Sequence, residues 1–122
     1  MYKFEKLQSW QESVVLISMS YDLVRKLPRL ENNNLADQLR RAVTSIALNI
    51  AEGAGAENDR EQLRYLHIAR KSTYEVVAII KIINQLYPNL VTVDVEIQLE
   101  KQSKLLSGLI RYLKPKDKKS SD

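Results

Sequence analysis

The feature that most constrains the fold is a long run, from about Asp59 to Leu86, that contains neither glycine nor proline. Apolar residues recur in it every three or four positions, which is the period of an amphipathic α-helix. Asn58 and Glu61 fit a capping box at its start, and Pro88 marks its end. The apolar positions form two neighbouring stripes: Leu66, Ala69, Thr73, Val76, Ile80, Ile83, and Ile68, Ser72, Glu75, Ile79, Ile82, Leu86. Two stripes predict a buried face wider than one neighbouring helix requires.

A first helix is predicted upstream, starting at Trp10 and stopping before Pro28. Ser9 and Glu12 fit a capping box at its start. Apolar residues with alternating spacings of four and three are expected to face the core: Trp10, Val14, Ile17, Tyr21 and Val24.

The second and fourth helices are bounded by turn and cap residues. The asparagines of the 31–34 stretch are expected to cap helix 2, which ends near Ala51 or Glu52. Gly53 and Gly55 are expected to take positive φ after that end. Thr92 is expected to cap helix 4, which ends before Pro115.

Short connections between the helices force neighbours to run antiparallel. The sequence therefore predicts an all-α fold, an up-down-up-down antiparallel four-helix bundle. We assign the bundle to residues 1–114 and a basic, disordered tail to residues 115–122, because the Lys/Ser/Asp tail has nothing to bury.

Composition excludes several classes of protein. The chain has 122 residues, the size of one domain, with no cysteine and a single histidine. Disulfide frameworks, thiolate metal sites and common zinc sites are therefore excluded, and we predict no cofactor and no catalytic activity. No apolar run approaches the roughly 18 residues of a membrane span, and the start lacks a signal-peptide core. A cytoplasmic location is the expectation.

The formal net charge is +4, which invites a nucleic-acid interpretation. Most of the surplus lies in the tail and at the start of the chain, and the body between them is nearly neutral. The compact basic patch of the body is in the stretch VRKLPR. The candidate nucleic-acid-binding residues are Arg25, Lys26, Arg29, Arg40, Lys116, Lys118 and Lys119.

Helix 2 also carries a polar ladder at spacings of three and four residues. With its expected partners on helix 3, the ladder comprises Gln38, Arg41, Ser45, Asn49, Glu52, Ser72 and Glu75. One interpretation is structural: a seam of hydrogen bonds and an Arg41–Glu75 ion pair between the two helices. A second has Arg41 or Arg40 contacting phosphates. A third is a carboxylate and metal nuclease built on Glu52 and Glu75, although each is expected to have a basic neighbour.

The stretch QLRRAVTSIALNIAEG (38–53) resembles the signature of four-helix-bundle proteins encoded in intervening sequences of bacterial 23S ribosomal RNA genes. FEKLQSWQES (4–13), the Leu27–Pro28 pair and YLHIARKSTYEV (65–76) support the resemblance, which covers residues 4–113. Lys71 departs from the pattern, since the family usually has glycine there.

The resemblance implies a homo-oligomeric bundle, with pentameric rings among the relatives. The chain also resembles the accessory protein of diversity-generating retroelements, which binds a reverse transcriptase and nucleic acid. We therefore expect a homo-oligomer, with a pentamer favoured, that associates with nucleic acid, RNA before DNA, and has no membrane partner. The alternative is a protein-interaction scaffold whose partner, of polymerase type, makes the nucleic-acid contacts.

Overall fold

The computed structural model describes residues 1–115, which form four α-helices and no strand. The helices are α1 (Gln8–Arg25), α2 (Leu35–Ala54), α3 (Asp59–Leu86) and α4 (Val93–Leu113). One 3₁₀ turn, Lys3–Lys6, precedes α1, and another, Arg29–Glu31, lies between α1 and α2. Across residues 1–115, no helix is long and apolar enough to cross a membrane. The all-α class is confirmed.

Each helix packs against two others, so the four close into a bundle in chain order. The hydroxyls of Ser45 on α2 and Ser72 on α3 lie 2.9 Å apart. Near the turn between these helices, Gly53 approaches Tyr65. Later residues of α2 therefore meet earlier residues of α3, as an antiparallel pair requires.

The core confirms one of the two predicted stripes of α3. Every residue of the first stripe is buried: Leu66, Ala69, Thr73, Val76, Ile80 and Ile83. The second stripe is divided. Ser72 and Ile79 are buried, whereas Ile68, Ile82 and Leu86 are 37%, 46% and 56% exposed. One chain therefore leaves an apolar part of α3 on its surface.

The predicted core face of α1 is offset by about one position along the helix, since Trp10, Ile17, Tyr21 and Val24 pack against the core but are only partly buried. The buried line is Ser9, Ser13, Leu16, Ser20 and Leu23. Val14, expected inside, is 40% exposed. Small serines let α4 come close, and Gln102 of α4 donates from Nε2 to the Ser9 carbonyl at 3.0 Å. The helix also starts at Gln8, two residues before the prediction, with no side-chain cap.

Of the caps predicted at Asn34, Asn58 and Thr92, only the one at Asn58 forms. Asn58 caps α3 as expected, since its side-chain oxygen accepts from the Glu61 backbone N–H at 2.9 Å. Asn34 and Thr92 occupy N-cap positions but make no side-chain bond to the helix backbone. The Thr92 hydroxyl instead lies 2.6 Å from Oδ1 of Asn84, which ties the start of α4 to the end of α3.

The glycines of α2 do not serve the purpose predicted for them. No residue in the part of the chain that the structure describes has positive φ, and α2 continues through Gly53 to Ala54. Gly53 is buried against α3. A Cβ atom there would lie 3.2 Å from the Gln62 carbonyl oxygen and 3.3 Å from Cβ of Tyr65. Glycine is needed for the close approach of the two helices.

Gly53→Ala and Gly108→Ala are expected to change stability in opposite directions. Alanine favours a helix by up to about 1 kcal/mol over glycine, and a Cβ on Gly108 meets nothing within 4 Å. At Gly53, overpacking against backbone should exceed that gain and leave a net loss of up to about 2 kcal/mol. Denaturant unfolding of both variants measures the difference. Equal gains at both positions would contradict the close approach.

Candidate nucleic-acid interface

The uncharged residues of the polar ladder, Ser45, Asn49 and Ser72, link α2 to α3. Besides the Ser45–Ser72 contact, Asn49 donates from Nδ2 to the Ser45 carbonyl at 2.9 Å and lies 3.1 Å from its hydroxyl. Ser72 is buried, so these contacts satisfy polar groups that water does not reach. This part of the ladder fits the structural interpretation.

The predicted ion pair between Arg41 and Glu75 is wrong. Arg41 is 80% exposed and lies 3.2 Å from Asp37, one turn earlier on the same helix. Glu75 and Glu52 are exposed and lie within 4 Å of no cation in residues 1–115. Two residues at the same height on neighbouring helices meet only if both side chains point toward the other helix. The long charged side chains of Arg41 and Glu75 extend into water instead.

Gln38 also bonds within its own segment. Its Nε2 donates to Oδ1 of Asn34 at 2.7 Å, and within residues 1–115 its side chain makes no hydrogen bond to α3. The ladder therefore contains one interhelical tie, flanked by charged and amide groups that are solvated or bonded locally.

The predicted basic patch lies where α1 ends and α2 begins, and two of its cations have acidic neighbours. Arg25 lies 2.6 Å from Asp22. Arg40 lies 3.7 Å from Asp37 and donates to the Asn32 carbonyl at 3.3 Å. Surface pairs of this kind contribute little stability, but they lower the local positive potential.

The patch's remaining members in the body are Lys26 and Arg29, both exposed. Within residues 1–115 neither has a carboxylate within 4 Å. Lys116, Lys118 and Lys119 lie outside the described residues.

A second basic surface, which we call the α3 basic face, was not predicted from the sequence. It consists of Arg60, Arg64 and Lys71, all exposed, with His67 between them. Spacings of four, three and four residues place the four side chains on one side of α3. The helical spacing of these residues is a signal present in the sequence. The cations predicted to bind nucleic acid were only those of the VRKLPR cluster, Arg40 and the tail.

His67 is partly buried within the α3 basic face. Partial burial lowers the pKa of its imidazole, and the nearby charges of Arg70 and Lys114 lower it further. The Arg70 guanidinium lies 3.0 Å from Nδ1. Because a guanidinium only donates, Nδ1 must accept, which leaves the proton on Nε2. The effect of Lys114 also indicates that the end of α4 lies beside this part of α3.

Polar contacts elsewhere in the bundle join its helices and were not predicted from the sequence. Gln98 of α4 donates from Nε2 to the Glu12 carboxylate at 2.9 Å, and Lys101 lies 3.3 Å from the same oxygen. These two contacts lower the pKa of Glu12. At the other end of the bundle, Tyr87 donates to the buried carboxylate of Glu31, and this hydrogen bond raises the pKa of the tyrosine.

No metal site is evident in residues 1–115. No three histidine, aspartate or glutamate side chains come together there in a way that would hold an ion. The carboxylates of the nuclease hypothesis, Glu52 and Glu75, are both exposed.

Comparison with known protein families identifies the family of this chain. A search of curated proteins gives no match. The sequence profile of a family described as "23S rRNA-intervening sequence protein" matches residues 5–111, which span all of α1, α2 and α3 and nearly all of α4. This chain is therefore a member of the 23S rRNA-intervening sequence protein family.

Proposed function

We propose that this chain is a non-enzymatic accessory protein that forms a homo-oligomer, with a pentamer favoured, and binds nucleic acid, RNA before DNA, through its phosphates. The observation that carries the proposal is the set of exposed cations without a neighbouring carboxylate in the part of the chain described by the structure. Lys26 and Arg29 form one such group and the α3 basic face forms another. The family description, which names 23S rRNA, supports RNA as the partner.

Assembly explains how a chain with a net charge of only +4 could bind a polyanion. Several copies of a weak site act together when one oligomer presents them, and the combined affinity exceeds that of a single site. The exposed apolar residues of α3, Ile68, Ile82 and Leu86, support association of copies. Ile82 and Leu86 lie one helical turn apart, and neighbouring exposed apolar side chains on a small domain often mark an interface.

A second candidate is a protein-interaction scaffold whose partner, of polymerase type, contacts the nucleic acid. Large apolar side chains exposed outside α3 favour it, among them Leu48 at 64% and Tyr112 at 82%. Under this proposal the cations serve solubility, and the chain alone has no affinity for RNA.

A gel-shift titration with structured RNA and duplex DNA separates the two candidates. We expect the full chain to shift RNA at low salt and to lose affinity steeply as salt rises, because phosphate contacts release counterions. A chain truncated after Leu113 is the matched comparison. Binding that disappears only on truncation would assign the affinity to the tail, and no binding to either nucleic acid at low salt would leave the scaffold.

A further inference from the structure

The α3 basic face has the geometry of a surface for an extended polyanion. Arg60, Arg64, His67 and Lys71 fall within about 60° around the helix axis. The 11 positions from first to last extend them over about 16 Å, at a rise of 1.5 Å per residue. Three cations, Arg60, Arg64 and Lys71, spread over this length suit a charged backbone better than a single small anion.

The cations of this face are not neutralised by the protein's own carboxylates. Glu61 precedes Arg64 by three residues and Glu75 follows Lys71 by four, yet neither comes within 4 Å of these cations. The ion pairs in residues 1–115 involve other cations instead: Arg25, Arg40, Arg41, Lys101 and Lys104. Like charges one turn apart cost a helix a few tenths of a kcal/mol per pair. An external polyanion would relieve that repulsion.

Further cations from α3 and α4 lie beside the face. Arg70 and Ser107 line one groove between these two helices, so the last turns of α4 run alongside Arg70. Arg111 and Lys114 follow on those turns, and both are exposed. Neither has a carboxylate within 4 Å in the described part of the chain. Positive charge from two helices therefore gathers at one side of one bundle end.

We propose that Arg60, Arg64 and Lys71 form the principal surface on which this protein binds the phosphodiester backbone of nucleic acid, with Arg70 at its edge. The proposal rests on the proposed function and locates it. It moves the main contact away from the turn between α1 and α2, where Asp22 and Asp37 accompany the cations. Contacts of this kind position a backbone and carry no base sequence, so binding should depend little on sequence.

The test compares two triple variants of the full chain that remove equal charge, together with a double variant, Lys26→Gln and Arg29→Gln, at the turn between α1 and α2. Arg60→Gln, Arg64→Gln and Lys71→Gln neutralise the face. Lys3→Gln, Lys6→Gln and Lys81→Gln remove three exposed lysines elsewhere. Fluorescence anisotropy with labelled structured RNA and labelled duplex DNA, over a salt series, gives the affinity and its salt slope.

We expect the first variant to bind on the order of 10-fold more weakly at low salt. Its salt slope should fall by roughly 2 to 3, because each phosphate neutralised on a duplex contributes about 0.9 to the slope. The lysine control should change both values far less. The melting temperature of the first variant should change little, because the repulsion removed within α3 offsets the lost contact of the Arg64 guanidinium with the Tyr65 ring.

The other possible outcomes contradict the surface, the ligand or the proposed function. If the parent binds and both variants lose affinity equally, net charge alone acts and the proposed surface is wrong. The surface is also wrong if the first variant binds like the parent, or if only Lys26→Gln with Arg29→Gln weakens binding. Equal affinity for poly-glutamate would overturn phosphate as the ligand. If the parent binds neither RNA nor DNA, the proposed function itself fails.

Discussion

Replacing Ile50 with alanine is expected to lower the free energy of unfolding by about 2–5 kcal/mol. Ile50 lies in α2 with 0% of its side chain exposed, inside the continuous hydrophobic core. Alanine removes three buried carbon atoms, and the rigid helices around the site cannot close the cavity. Because a domain of this size has a total stability of about 5–15 kcal/mol, the loss should be plain in a urea or thermal unfolding curve.

Leu48→Ala in the same helix is the matched control for this prediction. Leu48 is 64% exposed, so its truncation should change stability by no more than about 0.5 kcal/mol. Both helical positions receive the same residue, so helix propensity largely cancels between them. A loss at Leu48 as large as that at Ile50 would contradict the assignment of the core face of α2.

The limits of α3 and its main core stripe could be predicted because they depend on local patterns. Short stretches of sequence contain the signals that were used: apolar spacings of three and four residues, prolines, and the Asn58 cap. The core line of α1 could not be predicted in this way. Apolar residues lie beside that line, and serines, which an apolar period does not include, occupy three of its five positions: Ser9, Ser13 and Ser20.

The polar contacts between distant parts of the chain show the same limit. Gln102 and Ser9 are 93 residues apart in the chain, and Tyr87 and Glu31 are 56 apart. No local spacing in the sequence therefore predicts these two hydrogen bonds. Antiparallel register predicted a polar seam between α2 and α3, which forms where Ser45 meets Ser72. It did not determine whether Arg41 would turn toward Glu75 or toward Asp37. The α3 basic face, by contrast, repeats at helical spacing within one helix and needs only that period to be recognised.

Assembly into a homo-oligomer is central to the proposed function, because it joins the exposed apolar residues of α3 to the repeated cations. A closed ring uses two different surfaces of each copy, so one chain alone should show unpaired apolar side chains. Ile82 and Leu86 fit that expectation. Ile82→Glu should weaken the assembly, whereas Val91→Glu, an exposed apolar residue on the turn before α4, serves as the matched control.

Multi-angle light scattering of the full chain at micromolar concentration measures this assembly without any assumption about its ligand. We expect a mass of about five times the 14.1 kDa of one chain, a lower mass for Ile82→Glu, and an unchanged mass for Val91→Glu. A mass near 14.1 kDa for the parent would contradict homo-oligomeric assembly and the multivalent binding that depends on it.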